Sequence, residues 1–398
     1  MRVSRLTVRS SRAPSLAGVA VVLLVLTLAL ATIPHAVAAV SVIKTVTVGA
    51  YPEAMAFNPA NNMTYVVNNG DNDLSVIDAT TNTVISNITL GNSPTGVAVN
   101  PSTNRIYATD SADNNVTVID GSNNRPIANI TVGSTPDAVA VNPTTNMIYV
   151  VNSGDNNVAV IDGSNNRVVA NITVGNTPYA VAVNPNTNLI YVANSGDNEV
   201  QVFDGSNNRP IANITVGSTP DAVAVNPTTN MIYVVDGGDN NVTVIDGSNN
   251  TPIVNITVGD SPGGVAVNPT TGYVYVTNSV DNTISVIDGA SNTVTATIHV
   301  GETPDAVAVN EKANIVYVAN YAEASVSVLS GASGVPTITT SSSHSTSSTS
   351  SHTTTSSTGG GGGIPEFPVQ LGLTMAFTVA LVAAYALLRR QSIPRLRT

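Results

Sequence analysis

The sequence contains no cysteine and no tryptophan, and only 10% of its 398 residues are charged. Without cysteine there is no disulfide framework, no thiol nucleophile and no thiolate metal site. Histidine is nearly as scarce. Of the four, His35 lies in an N-terminal leader and His344 and His352 in a Ser/Thr tract, which leaves His299 alone among the repeats. A multi-histidine metal centre and a Ser-His-Asp triad are therefore excluded. No glycine-rich phosphate loop follows a strand and opens a helix. The residues thus nominate no catalytic group, cofactor or metal ligand, and the expectation is a protein that is not an enzyme.

Basic residues are missing where the chain would fold. Between residues 40 and 331 there are six Lys and Arg against 24 Asp and Glu, a net formal charge of −18. Such a surface disfavours nucleic acid and suits self-repulsion screened by salt or by weakly bound divalent cations. The remaining eight basic residues flank two apolar runs. Arg2, Arg5, Arg9 and Arg12 precede an apolar stretch that ends in Ala36-Val37-Ala38, a signal-peptide pattern over 1–39. Val369 to Leu388 is an uncharged apolar run of 20 residues followed by Arg389, Arg390, Arg395 and Arg397. Its length predicts a C-terminal transmembrane helix, with the arginines inside and the bulk of the chain outside. A Ser/Thr/Gly-rich stalk over 332–363 precedes the tail at 364–398.

What the chain has in abundance is repetition. Pro52, Pro94, Pro136, Pro178, Pro220, Pro262 and Pro304 recur every 42 residues, as do Tyr65, Tyr107, Tyr149, Tyr191, Tyr233, Tyr275 and Tyr317. Each unit carries four short runs rich in Val, Ile, Thr and Tyr, punctuated by Asn-Pro and Asp-Gly. Four strands per repeat of this length is the arithmetic of a propeller blade. The expected fold is all-β, a seven-bladed β-propeller over 40–331. The phase of the repeat leaves the last blade one strand short, so a strand at about 43–48 should close the ring. The inner run, Ala138-Val139-Ala140-Val141, is apolar throughout and predicts burial on both faces.

Val274-Tyr275-Val276-Thr277-Asn278, with the variants Tyr317-Val318-Ala319-Asn320 and Tyr149-Val150-Val151-Asn152, resembles the YVTN family of β-propeller repeats. That resemblance implies an archaeal surface-layer or cell-surface protein. Pro365-Glu366-Phe367, ahead of the apolar run and the arginines, is similar to a PEF-CTERM sorting signal, which implies tail removal and lipid linkage. The function expected is a non-enzymatic structural or adhesive scaffold, anchored C-terminally at the outer face of the cell membrane. Its partners would be other surface proteins or glycans. The alternative is a lactonase- or lyase-like propeller enzyme with an acidic central site.

Two sets of polar residues recur with the repeat. Asp71, Asp113, Asp155, Asp197, Asp239 and Asp281, with Glu323, should share one rim with Glu53, Asp137, Asp221 and Asp305. The loop acids read as turn formers before they read as cation ligands, since no calcium-loop pattern accompanies them. Asn-x-Ser/Thr sequons at Asn87, Asn129, Asn171, Asn213 and Asn255 fall on the predicted outer strand, and others at Asn62, Asn115, Asn241 and Asn249. In an exported protein these are candidate N-glycosylation sites.

Overall fold

The computed structural model describes residues 40–333. The leader, most of the stalk, Pro365-Glu366-Phe367 and the C-terminal apolar run lie outside the described residues. Among the described residues no helix is long and apolar enough to cross a membrane.

Among the described residues, seven four-stranded antiparallel sheets succeed one another. In blade 3 the strands, from inner to outer, are Pro136–Asn142, Met147–Asn152, Asn157–Asp162 and Arg167–Thr173. The sharp reversals between strands explain the wealth of asparagine. Asn62, Asn72 and Asn82 close the three hairpins of blade 1 with φ of 59°, 54° and 51°. Asparagine tolerates this left-handed backbone because its short amide bonds locally.

The inner three strands of the last blade, Pro304–Asn310, Ile315–Asn320 and Ser325–Ser330, are completed by Val42–Thr47. That strand runs antiparallel to the third, with Thr47 opposite Ser325 and Val42 opposite Leu329. The closure expected from the repeat phase is therefore present.

Burial departs from expectation at one place. The second and third strands carry the core: Tyr149, Val150, Val151, Val158 and Val160 are all but inaccessible. The inner strand Pro136–Asn142 is only half-buried along its middle. Its inward edge faces the central channel rather than another sheet, so apolar residues there do not imply full burial. Each repeat tyrosine packs across a blade boundary; Tyr149 meets Ile190, Val192 and Phe203 of blade 4.

A second contact ties neighbouring blades at the end opposite the inner-strand prolines. Asn58 donates to the Asn104 amide oxygen at 2.7 Å, Asn100 to Asn146 at 2.7 Å, Asn142 to Asn188 at 2.7 Å and Asn184 to Asn230 at 2.6 Å. Asn268 donates to Asn314 at 2.9 Å, and Asn310 returns to Asn62 of blade 1 at 3.5 Å. The blade 5–6 junction lacks this clip, because Gly272 (φ +78°) stands where its counterparts are asparagine.

Candidate functional site

Every inner strand opens with the repeat proline, and in every blade the ladder register shifts directly after it. The residue following proline therefore sits on a β-bulge, a device that re-aims a side chain. The residue preceding proline is left-handed: Tyr51, Ser93, Thr135, Thr177, Thr219, Ser261 and Thr303 have φ between 48° and 54°. For a β-branched threonine this is a strained conformation. It is held by neighbouring blades, as where the Thr135 amide donates to Asn114 Oδ1 at 3.0 Å.

The bulge residues are Glu53, Thr95, Asp137, Tyr179, Asp221, Gly263 and Asp305, and all line one cavity of about 670 Å³ at the channel mouth. A nearly uniform ring is thus least uniform where it faces the channel. The residues lining the cavity include no Lys, Arg or His.

Four carboxyls crowding one concavity titrate abnormally. Burial, then the charges of Asp305 and Asp137, pushes Glu53 up to about 7, against a hydrogen bond from Asn69. Burial, with the charge of Asp221, raises Asp305 to about 6. Asp137 and Asp221 occupy equivalent positions with different neighbours. Burial raises both, but Ser153 hydrogen-bonds Asp137 and offsets part of the effect. Blade 5 has Gly237 at that position, and Asp221 rises to about 6. Tyr179 stands among the four acids with 46% of its surface open. Its enclosure, then the charges of Asp305, Glu53, Asp137 and Asp221, lifts its hydroxyl to about 12. It remains a protonated donor at any physiological pH.

At the seam between blades 7 and 1, Tyr51 and Tyr321 stack with ring centroids 5.0 Å apart and planes inclined by 26°. The Tyr321 hydroxyl is raised by partial burial and then by the Glu53, Tyr51 and Asp305 groups, which places the pair beside the acidic mouth.

The loop acids do not join this cluster. Asp71, Asp113, Asp155, Asp197, Asp239 and Asp281 each accept a backbone N–H at 2.7–2.8 Å, from Ala50, Asn92, Ser134, Asn176, Ser218 and Asp260. Each fastens the loop that leads into the inner strand of its own blade. Glu323 accepts from the Ser325 hydroxyl at 3.2 Å. The shared acidic rim of the sequence reading therefore divides into a cavity set and a loop-capping set. Among the described residues no group of three acids or histidines converges closely enough to hold a metal ion. His299 ends an outer strand, exposed and remote from the cavity. The outer-strand asparagines lie on the circumference. Tyr179, Thr95, Gly263 and the Tyr51–Tyr321 pair are cavity-side features that the sequence reading did not single out. The readable signal was the residue after each repeat proline.

Residues 122–295 match the family model described as "Lactonase, 7-bladed beta-propeller". The match runs from the outer edge of blade 2 into that of blade 6 and includes Asp137, Tyr179 and Asp221. Comparison with curated proteins finds no match. Among solved structures, a chain of Kuenenia stuttgartiensis hydrazine synthase superposes with a TM-score of 0.64 at 20% identity, over 70% of this chain and 95% of that one. At that identity the likeness concerns the propeller fold alone. The lactonase match overturns the expectation that the chain is not an enzyme. That expectation relied on the lack of thiol, histidine and phosphate-loop chemistry, none of which is needed by carboxyls gathered at the cavity-facing bulge.

Proposed function

We propose that the channel mouth is the active site of a hydrolase acting on cyclic esters that are neutral or positively charged. The observation that carries this reading is a single cavity in which carboxyls of unlike proton affinity face one another. Near pH 7, Glu53, at about 7, is protonated in about half of the molecules while Asp305, at about 6, is mostly ionised, so the two can supply the acid and the base that hydrolysis requires. In the proposed reaction, water attacks the ester carbonyl carbon and gives its proton to Asp305. The Tyr179 hydroxyl donates to the carbonyl oxygen as negative charge develops there. The ring C–O bond breaks, the departing alkoxide takes the Glu53 proton, and an open hydroxy acid results. Because no cation lines the cavity, an anionic substrate would be repelled, and so would the carboxylate product, which favours release. The lactonase match over part of the ring supports the reaction class. Export through the leader, and retention at the outer membrane face among surface proteins or glycans, form part of the proposal and rest on the sequence.

The test is ester-ring hydrolysis by the purified full chain, followed in a pH-stat. Uncharged γ- and δ-lactones, an α-amino lactone and a phosphorylated sugar lactone form the panel. The first two classes should be turned over and the third spared. Glu53→Gln and Asp305→Asn should each lower kcat by about 10²–10⁴. Absence of turnover on every lactone would sink the proposal.

A further inference from the structure

The outer strands form the circumference of the ring, and five of the seven carry Asn-Ile-Thr in one register, at Asn87, Asn129, Asn171, Asn213 and Asn255. In all five the asparagine and threonine are exposed and the isoleucine between them is the less accessible residue, turned towards the blade. The Asn129 and Asn255 amide oxygens lie 3.2 Å from the Thr117 and Thr243 hydroxyls, which donate at shorter range to Asp110 at 2.6 Å and Asp236 at 2.5 Å. At both, the amide oxygen lies against the sheet and Nδ2, the atom that would carry a sugar, faces outward, whereas at Asn213 Nδ2 donates to Glu199 at 3.3 Å across the exposed surface. Of the other sequons, Asn249 is exposed too but sits in the turn before an outer strand, its amide oxygen accepting from the Thr251 N–H and hydroxyl, and the remaining three are held more tightly. Asn62 is locked in a left-handed turn, with Nδ2 donating to Thr80 at 3.0 Å. Asn115 and Asn241 are half-buried, each with an enclosed amide oxygen.

A second observation concerns what lies beside each outer-strand asparagine. Two residues earlier, on the same face, stand Ile85, Ile127, Val169, Ile211 and Ile253, each between 48% and 53% exposed. Open aliphatic side chains on an unpaired edge strand invite association. In blade 6 the asparagine is replaced by Thr297, and there the aliphatic is replaced too, by Thr295. In blade 7, which has Thr45 at this position, Ile43 stays open.

We propose that Asn87, Asn129, Asn171, Asn213 and Asn255 carry N-linked glycans, a belt over five contiguous blades that leaves the sector of blades 6 and 7 bare. The donor is a lipid-phosphate- or lipid-pyrophosphate-linked oligosaccharide, joined by an oligosaccharyltransferase outside the cytoplasm. The bond from the sugar anomeric carbon to the phosphate oxygen breaks, and the lipid phosphate leaves with the electron pair. A bond forms from that carbon to Asn Nδ2, which gives up a proton. The sugar then lies over the neighbouring aliphatic and the strand edge.

The test is glycopeptide mass spectrometry on the full chain recovered after export by a host with an oligosaccharyltransferase. A second version carrying a proven secretion leader keeps the test decisive if the native leader is inert. Glycopeptides should map to the five outer-strand sites, and each Asn→Gln change should remove one glycan mass. Thr297→Asn combined with His299→Thr should add one glycan on blade 6. Exported protein with unmodified outer-strand asparagines would overturn the proposal. So would modification confined to Asn62, Asn115 and Asn241, or no gain from the double substitution.

Discussion

Asp137 and Asp221 are chemically identical and two blades apart, yet one neighbour separates them. A hydroxyl at Gly237 like that of Ser153 in blade 3 should lower the Asp221 pKa towards that of Asp137, once the Asp221 carboxylate swings aside to admit the new Cβ. Gly237→Ser is therefore expected to lower the Asp221 pKa from about 6 by roughly one unit, about what one hydrogen bond to a carboxylate contributes. Carboxyl NMR titration reads this directly. The same crowding has a stability signature. Glu53 and Asp305 bind protons more tightly folded than unfolded, so their contribution is fully present below about pH 4 and is lost as pH rises through 6 to 7. Removing the charge reverses this penalty. Glu53→Gln or Asp305→Asn should stabilise the protein at pH 8 by about 1–2 kcal/mol after solvent screening, with the gain vanishing near pH 4. Melting curves at the two pH values test it. The acids themselves were legible in the sequence, but their convergence was not. Glu53 and Asp71 lie on one rim, and only the bulge after Pro52 turns one inward while a backbone amide engages the other.

Among the elements, hairpins and strand order were legible because each repeat restates its own turn chemistry, from Asn62 to Asn82 and onward. The half-buried inner strand was not, since period-2 patterning cannot distinguish a neighbouring sheet from an open channel on the inward edge. The missing inter-blade clip gives an element-scale prediction. Gly272 already has the left-handed backbone that asparagine tolerates, and a Cβ there would meet nothing within 4 Å. Gly272→Asn should let Asn226 donate across the blade 5–6 junction and stabilise the ring by about 0.5–1 kcal/mol. Conversely, Asn142→Ala should break an existing clip and strand the Asn188 oxygen, at a cost of about 1–2 kcal/mol. Denaturant midpoints resolve both signs.

For the whole molecule, charge and closure dominate. A ring carrying a net formal charge of −18 should gain stability with sodium chloride through screening of self-repulsion. Thermal melts at fixed pH and rising ionic strength measure it, and calcium at matched ionic strength should add nothing further. Deleting residues 40–48 should leave the edge Ser325–Ser330 unpaired, lower the melting temperature and promote self-association, seen by light scattering. Closure also imposes an order of events. The strand made first, Val42–Thr47, is the partner of the strand made last, Ser325–Ser330. At about 5–20 residues per second, it waits roughly 15–60 s during synthesis before its mate exists. Throughout that interval a second nascent chain can offer the same edge. Two chains that exchange their first strands would each complete the other's seventh blade, keeping that blade's strand pairing and reshaping only the short connection at 48–51. High chain concentration during synthesis, rather than weak packing, is the condition that would favour such a dimer.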